Sequence, residues 1–223
     1  MLETFSLPTM ADLKLICKSL AALDLIFVEE QYSYIRKFHY ETNWRKGKEA
    51  FFYSDGSEQA MMIIFAKEDC VINGCDSELY VYESDNSKLT ELIANMPQAL
   101  QKLMAGKEIK RMKSTFLLWA EAEAEAEAKT INDTNTGKDD QLWHYHPWLE
   151  HDVAFDMLPL LHHSLKGMHE HAVWLGYKLP DNCLEQLVGK QIINQKELSL
   201  LDVKLELSTQ QQLHLQELGF TII

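Results

Sequence analysis

Apolar residues recur at helical spacing near the beginning of the chain. They lie three or four residues apart, at Leu13, Ile16, Cys17, Leu20 and Leu23. This spacing puts their side chains on one face of an α-helix. Thr9 followed by Asp12 resembles a capping box, which marks the start of a helix. We therefore predict a helix over residues 10–25 with one face on the core.

After residue 32 the pattern changes to short runs of aromatic and β-branched residues. Four runs follow one another, at 32–40, 49–54, 60–66 and 70–76. Polar turn signals separate them, at Lys46-Gly47, Asp55-Gly56-Ser57 and residues 67–69. Short strands with short polar connections are typical of an antiparallel meander. The run MMIIF at 61–65 is apolar at every position, which predicts a central strand buried on both faces.

Helical spacing returns after residue 85. Over 85–106 an apolar stripe is interrupted by Pro97, which predicts two short helices. Beyond residue 150 the pattern predicts helices separated by glycine and proline, over 157–166, 168–175, 182–190, 197–203 and 209–218. Gly167, Gly176 and Gly219 are expected to end three of these helices, and Ser208 is expected to cap the last one.

After Trp119, residues 120–128 alternate alanine and glutamate, in the sequence AEAEAEAEA. Both residue types favour helices, but a helix would place like charges four residues apart, as at Glu121 and Glu125. A strand would instead put every glutamate on one face. We therefore predict one antiparallel hairpin with arms at 114–128 and 141–147. A helix over 120–128 is the alternative.

These elements predict an α+β protein. It has an N-terminal helix, an antiparallel sheet of about five or six strands and a helical C-terminal layer. A length of 223 residues is compatible with one domain over 1–223. In this interpretation residues 1–148 carry the first helix and the sheet, and residues 149–223 form the helical layer.

The net charge of the chain indicates which kinds of molecule it can bind. The chain has 34 acidic and 21 basic residues, which gives a net charge of −13 with histidine neutral. Such a chain repels nucleic-acid phosphate and anionic membrane surfaces, so neither partner is expected. The same charge suits association with a basic protein partner. The sequence leaves the identity of that partner and the oligomeric state open.

The sequence also favours a cytoplasmic location. Its first residues, MLETFSLPTMADLK, lack the basic and apolar regions of a secretory signal. The most apolar stretch, residues 15–28, is interrupted by Lys18 and Asp24 and is too short to span a bilayer. A cytoplasmic protein keeps its cysteines as reduced thiols.

Six short stretches resemble a family of uncharacterised bacterial proteins. They are 7-LPT-9, 20-LAALDLI-26, 38-FHYETNW-44, 55-DGS-57, 74-GCDSE-78 and 115-TFLLW-119. They match the family's Leu-Ala-Leu-Asp helix, Asp-Gly-Ser turn, Gly-x-Asp-x-Glu segment and Thr-Phe-x-x-Trp strand. The resemblance implies no activity. This chain has Ser77 where the family pattern has a histidine, so chemistry that needs that imidazole is not expected.

Histidines cluster in the second half of the chain, where seven of the nine lie between positions 144 and 171. His144 and His146 would share one face of a strand. If the hairpin set them opposite Glu123, Glu125 or Glu127, two imidazoles and a carboxylate could bind zinc or another divalent metal. The competing interpretation is that carboxylates merely accompany exposed histidines and raise their pKa.

The metal interpretation gives the alternative function, a small metal-dependent hydrolase that uses the histidine-rich region 144–171. The dipeptide His151-Asp152 also occurs in metal-dependent phosphohydrolases, but their scaffold is mostly helical. The remaining histidines of the region are expected at the surface or at helix ends, namely His162, His163, His169 and His171. The sequence has no Cys-x-x-Cys pair, phosphate-binding glycine loop or dinucleotide fingerprint, so no cofactor is expected.

The favoured function is a non-catalytic protein-interaction module, for which an immunity-type antidote to a basic toxin is one form. The partner-binding residues would be the glutamates and aromatic residues of the hairpin, Glu121, Glu123, Glu125, Glu127, Trp143, Tyr145 and Trp148. Aromatic residues are enriched in interface cores. They are also ordinary core residues, and glutamates on a strand can simply keep an exposed edge from pairing with other chains.

Overall fold

The computed structural model describes residues 7–57, 59–67, 69–76, 90, 93–94, 96–107, 109, 112, 114–120, 143–145, 157–161, 165–196 and 207–223. The fold is α+β, as the sequence predicts, with helices packed on an antiparallel sheet. The predicted single domain over 1–223 includes residues outside these ranges and stays a prediction.

Helix α1 spans Met10–Phe27 and confirms the predicted first helix. At its start the Thr9 hydroxyl accepts a hydrogen bond from the Asp12 backbone N–H at 3.2 Å and donates to the Asp12 carboxylate at 2.8 Å. Every residue from Ser19 to Phe27 is buried. This all-round burial arises because α1 contacts the sheet as well as the C-terminal elements.

The described sheet has six strands in sequence order, and each neighbouring pair is antiparallel. The strands are β1 Phe38–Arg45, β2 Lys48–Ser54, β3 Ala60–Ala66, β4 Asp69–Cys75, β5 Phe116–Ala120 and β6 Trp143–Tyr145. Residues 61–65 are buried and β3 is an interior strand, so the predicted central strand is confirmed.

The first predicted strand begins later than the sequence pattern suggests. Residues Glu30–Ile35 form a 3-10 helix, and the extended chain starts only at Phe38. A strand depends on a neighbour for its hydrogen bonds. Here β2 ends at Ser54, whose N–H donates to the Lys37 carbonyl, so it supplies no partner for residues 30–35. The Arg36 side chain instead donates to the Val28 carbonyl at 2.9 Å.

Both faces of the sheet are covered. One face packs against α1 and the C-terminal elements, with Tyr40, Phe51 and Ile63 among its fully buried side chains. The opposite face packs against helix α2, Gln98–Met104, which begins after Pro97 as predicted. Alternation along the strands explains this division, because successive side chains point to opposite faces.

The C-terminal part is mostly helical and adds a second, two-stranded sheet. It contains a 3-10 turn at Leu158–Leu161, α3 Lys166–Trp174, α4 Asp181–Glu185 continuing into a π-helical turn Gln186–Lys190, β7 Ile192–Ile193, α5 Thr209–Glu217 and β8 Thr221–Ile222. β7 and β8 pair in parallel, a feature that the sequence analysis did not predict. Ser208 and Gln211 form the capping box of α5.

The C-terminal glycines confirm two predicted helix ends and correct a third. Gly176 and Gly219 follow helices with φ of +93° and +98°, a conformation that glycine adopts without strain. Gly167 was expected to end a helix but lies in the first turn of α3. A Cβ there would be 3.1 Å from Leu160 Cα, so glycine permits a close approach of backbones. Within the described ranges, no helix has the length and apolar character needed to cross a membrane.

Candidate functional site

The two ends of the predicted hairpin pair as antiparallel strands. Leu118 aligns with Tyr145, Trp119 with His144 and Ala120 with Trp143. This confirms the predicted pairing for residues 118–120 and 143–145. Residues 121–142 lie outside the described residues, so the choice between strand and helix for the glutamate run stays open.

The structure partly locates the predicted partner-binding residues. Trp143 is half-buried and packs against the core that contains α1. Its indole N–H donates to the Pro8 carbonyl at 3.2 Å, which ties β6 to the segment preceding α1. The side chain of Tyr145 is outside the described part of the structure, as are the remaining predicted residues Glu121, Glu123, Glu125, Glu127 and Trp148.

The strand register corrects one part of the metal interpretation. His144 aligns with Trp119, so the expected opposition of His144 to Glu123, Glu125 or Glu127 is wrong. β6 pairs with the apolar part of β5, which ends before the glutamates begin. His146 lies outside the described residues. Among the described side chains, no group of three or more His, Cys, Asp or Glu residues is arranged to hold a metal ion.

A contact between a buried aspartate and a buried histidine joins two distant parts of the chain. The sequence analysis did not predict it. His171 Nε2 lies 2.6 Å from Asp24 Oδ1, and the two side chains are 3 % and 0 % exposed. His171 was expected at the surface or at a helix end; it lies in the last turn of α3, but its side chain is buried. The contact links α1 to α3 across 147 positions of sequence, too far for a local pattern to indicate it.

Neighbouring residues form a hydrogen bond with the second carboxylate oxygen of Asp24 and cover the pair. The second oxygen of Asp24 accepts a hydrogen bond from the Phe38 backbone N–H at 2.7 Å. The Phe38 ring meets the His171 ring edge-on, with 4.5 Å between centroids, and Trp174 stacks on His171 at 5.7 Å. Lys37 Nζ lies 3.8 Å from the centroid of Trp174. The pair thus fixes α1, β1 and α3 to one another.

Two further histidine contacts are closer to solvent. His169 Nε2 lies 2.6 Å from Asp181 Oδ1 and connects α3 to α4, but the Asp181 side chain is 78 % exposed. His39 on β1 lies 3.4 Å from Glu41 and faces His214 on α5, with 5.9 Å between the rings. Desolvation lowers the pKa of His39, and this effect outweighs Glu41, which raises it.

A charged cluster lies between α1 and the first two strands. Glu49 contacts Lys14 at 2.5 Å and Lys18 at 3.5 Å, and it accepts a hydrogen bond from the Tyr40 hydroxyl at 2.7 Å. Burial alone would raise the pKa of Glu49, but these partners outweigh it and lower the pKa. Burial and the Glu49 contact raise the pKa of Tyr40. The charged and polar side chains of the cluster pair with one another, so the cluster connects α1 to the sheet.

Several residues of the family-like stretches meet at one end of the sheet. Asp55 accepts hydrogen bonds from the backbone N–H groups of Ser57 at 2.8 Å and Gln59 at 3.1 Å. The Gln59 side chain donates to Asp76 at 3.3 Å, and the Asp76 N–H donates to the Thr115 hydroxyl at 2.9 Å. These contacts close the turn before β3 and join the end of β4 to the start of β5.

The glycine of the Gly-x-Asp-x-Glu segment also has a packing role. Gly74 on β4 aligns with Phe116 on β5. A Cβ on Gly74 would lie 1.9 Å from the tip of the Phe116 ring, so the ring occupies the space of the missing side chain. The family-like stretches therefore contribute to the folding of the sheet end.

Large apolar side chains are exposed at several places among the described residues, including Leu213 and Ile223 near the C-terminal end. We refer to those of the 3-10 helix and of the end of α3 together as the aromatic patch, and they are Tyr32, Tyr34, Ile35, Val173 and Trp174. The first three lie in or at the end of the 3-10 helix, and Tyr34 is 80 % exposed. Lys37 follows the 3-10 helix, and its ammonium group lies over the ring of Trp174.

Comparison of the chain with protein-family models, with curated proteins and with solved structures finds no match. The resemblance to uncharacterised bacterial proteins therefore stays a prediction that rests on the six stretches themselves. Their placement supports a structural role, because Asp24, Asp55, Gly74 and Thr115 all make contacts that join elements of the fold.

Proposed function

We propose that the chain is a non-catalytic, cytoplasmic protein-interaction module that binds a basic protein. An immunity-type antidote that neutralises a basic toxin is the form of this function that we favour. The observation that carries the proposal is the acid excess of 34 acidic over 21 basic residues, a net charge of −13. Opposite charge on a partner speeds diffusional encounter and disfavours partners of the wrong charge.

The position of the glutamate run supports this role. β5 is buried and is paired with β4 on one side and β6 on the other, and it ends at Ala120. Glu121 follows Ala120 in the sequence, so the acidic run is attached directly to a buried strand of the sheet. We propose that these glutamates bind the partner together with the aromatic residues that follow them in the sequence. The proposed partner-binding residues are Glu121, Glu123, Glu125, Glu127, Trp143, Tyr145 and Trp148.

The environment of the buried histidine argues against a catalytic role for this residue. A general base has to come within hydrogen-bond distance of the proton that it removes from a substrate. The His171 side chain is only 3 % exposed, and Phe38 and Trp174 lie against its ring. Both carboxylate oxygens of Asp24 are engaged by protein groups. We therefore assign a structural role to Asp24 and His171.

The state of the cysteines supports a cytoplasmic location. All four are free thiols, and Cys17, Cys70 and Cys75 are buried. Burial raises the pKa of Cys17 and Cys70, which keeps these thiols protonated and unreactive. Reducing compartments preserve such thiols. A bacterial origin follows from the family resemblance and is part of the same proposal.

The proposal is tested with the purified full chain and, as the probe, a basic protein encoded by a gene next to its own. Isothermal titration calorimetry is carried out at low and at high ionic strength. We expect binding that weakens as salt is added, because screening reduces attraction between opposite charges. Absence of binding, or binding that is indifferent to salt, would contradict the proposal.

A further inference from the structure

We propose that Met112 is an oxidation site, at which a peroxide converts the thioether to a sulfoxide whose oxygen accepts a hydrogen bond from the buried Asn73 amide. This inference goes beyond the proposed binding of a basic partner and does not depend on it. The site lies on the face of the sheet that packs against α2.

Asn73 is a polar residue in an apolar part of the core. It lies on the interior strand β4, is 1 % exposed, and aligns with Met62 on β3 and Leu117 on β5. Residues directly opposite each other on neighbouring strands share a face of the sheet. Asn73 therefore points into the apolar cluster that contains Met62 and Leu117. A buried amide needs hydrogen-bond partners there, because an unpaired polar atom costs free energy.

The Asn73 side chain uses little of its hydrogen-bonding capacity. Its Nδ2 donates to Met112 Sδ at 3.2 Å. A thioether sulfur is a weak acceptor. The Asn73 Oδ1 is buried, and no described residue donates a hydrogen bond to it. A buried amide donor thus faces a weak acceptor, and a stronger acceptor at the same position would stabilise it.

The backbone on both sides of this contact is fixed. The Met112 N–H donates to the Ile109 carbonyl at 3.0 Å. The Thr115 N–H donates to the Gly74 carbonyl at 2.8 Å, which connects the residues after Met112 to β4 next to Asn73. These contacts keep Met112 beside the Asn73 amide when the sulfur changes chemically.

Met112 is also within reach of a small oxidant. Its side chain is partly exposed and packs on the edge of the apolar cluster. Most methionines among the described residues are buried, namely Met61, Met62, Met96, Met104, Met157 and Met168. Met10 is the other partly exposed methionine within the described ranges, and it provides an internal reference for the reaction.

The reaction is a two-electron oxygen transfer from hydrogen peroxide. A lone pair of Met112 Sδ attacks one peroxide oxygen, so an S–O bond forms and the O–O bond breaks. The proton of the transferred oxygen passes to the departing hydroxide, which leaves as water. The sulfur is oxidised and the peroxide is reduced. Rotation about the Cγ–Sδ bond turns the new oxygen towards Asn73 Nδ2, and sulfoxide reductases can reverse the modification.

The Asn73 amide determines how the fold responds to this oxidation. A sulfoxide in contact with apolar side chains normally destabilises a protein, because a polar group replaces a flexible apolar one. At Met112 the hydrogen bond from Asn73 opposes that loss. The wild type should therefore tolerate oxidation of Met112, whereas a chain without the Asn73 amide should be destabilised by it.

The experiment uses the full chain, treated with hydrogen peroxide and followed by peptide mass spectrometry and by thermal unfolding. The wild type is compared with Asn73→Leu, which keeps a side chain of similar size in the apolar cluster. We expect Met112 to be oxidised in the folded wild type together with Met10 and before the buried methionines. On oxidation, Asn73→Leu should lose about 2–4 °C more in Tm than the wild type, because the sulfoxide lacks its donor.

The matched control is the double variant Asn73→Leu/Met112→Leu, which cannot be oxidised at this position and should show none of the additional loss. Three results would overturn the proposal. They are a Met112 that stays unoxidised while Met10 reacts, equal losses of Tm in wild type and Asn73→Leu, and the same additional loss in the double variant. Circular dichroism before oxidation checks that each variant is folded. None of these results bears on binding of a basic protein, which the calorimetry tests separately.

Discussion

Asp24 and His171 meet at 2.6 Å in the core, although 147 positions separate them in the sequence. The contact connects the buried end of α1 to α3, and the Phe38 N–H brings the first residue of β1 to the same carboxylate. This site therefore joins the first helix, the sheet and the C-terminal helices at one point of the core.

The first prediction concerns the stability of that contact. His171→Ala leaves the Asp24 carboxylate buried without its histidine partner, a change that typically costs about 3–5 kcal/mol of unfolding free energy. His169→Ala is the matched control, because it breaks a contact of equal length on the same helix whose acidic partner is 78 % exposed. Exposed pairs contribute about 0–1 kcal/mol.

Urea unfolding of both variants, followed by circular dichroism, measures the difference. If His171→Ala lowered the unfolding free energy no more than His169→Ala does, Asp24 and His171 would not hold the core together. A double-mutant cycle with Asp24→Asn would then show no coupling between the two side chains.

The second prediction concerns Gly74. In Gly74→Ala the new methyl group would meet the buried ring of Phe116, and overpacking of this kind costs about 1–3 kcal/mol. Gly189→Ala is the control, because a Cβ there meets nothing within 4 Å. Thermal unfolding compares the two variants. Adding Phe116→Leu should recover part of the loss at Gly74, and no recovery would mean that the ring is not the cause.

The third prediction concerns acid stability. The folded state lowers the pKa of His39 through desolvation and through the nearby His214, against the opposing effect of Glu41. The pKa of His39 is therefore higher in the unfolded chain, where it is about 6.5, than in the folded chain. As the pH falls below that value the unfolded chain binds more protons, so stability decreases.

Unfolding free energies at about pH 7.5 and about pH 5.5 check this prediction. His39→Gln should lose less stability than the wild type between the two pH values, because the titrating group is absent. His214→Gln should reduce the loss by a smaller amount, since desolvation of His39 remains. An equal or greater loss in His39→Gln would show that the pKa of His39 is not lowered by folding.

The fourth prediction is that the protein binds no stoichiometric metal. The register that aligns His144 with Trp119 removes the expected opposition of His144 to the glutamates, which was the strongest sequence argument for a zinc site. Elemental analysis of protein purified without a histidine tag should find well below one zinc per chain. About one zinc per chain would instead revive the metal-dependent hydrolase as the function.

Within the part of the chain that the structure describes, local sequence signals predicted most of the elements correctly. Thr9 and Asp12 predicted the start of α1, and the alternation of turns and β-branched runs predicted β2, β3 and β4. The prediction failed at residues 32–35, where aromatic composition indicated a strand but the fold provides no neighbouring strand. It also failed at Gly167, whose role is close packing on Leu160.

Contacts between distant parts of the chain could not be predicted in this way. Asp24 was visible in the sequence as an interruption of the apolar stretch 15–28, as was Lys18, but no pattern indicated its burial or connected it to His171. The aromatic patch was also missed. Its two halves are separated by more than a hundred residues, and tyrosines at 32 and 34 were assigned to a strand.

The most direct test of the proposed function asks whether the glutamate run speeds association with the basic partner. The association rate constant measures this electrostatic steering. Replacing Glu121, Glu123, Glu125 and Glu127 with glutamine changes the net charge from −13 to −9. The control makes the same change at four exposed glutamates elsewhere, Glu29, Glu170, Glu185 and Glu217.

We predict that the first variant associates more slowly than the control at low salt, and that the difference fades as ionic strength rises. This result would show that the position of the glutamates matters as well as their number. Equal association rates for the two variants, together with increased self-aggregation of the first, would contradict the proposal. The glutamates would then serve only to protect an exposed strand edge.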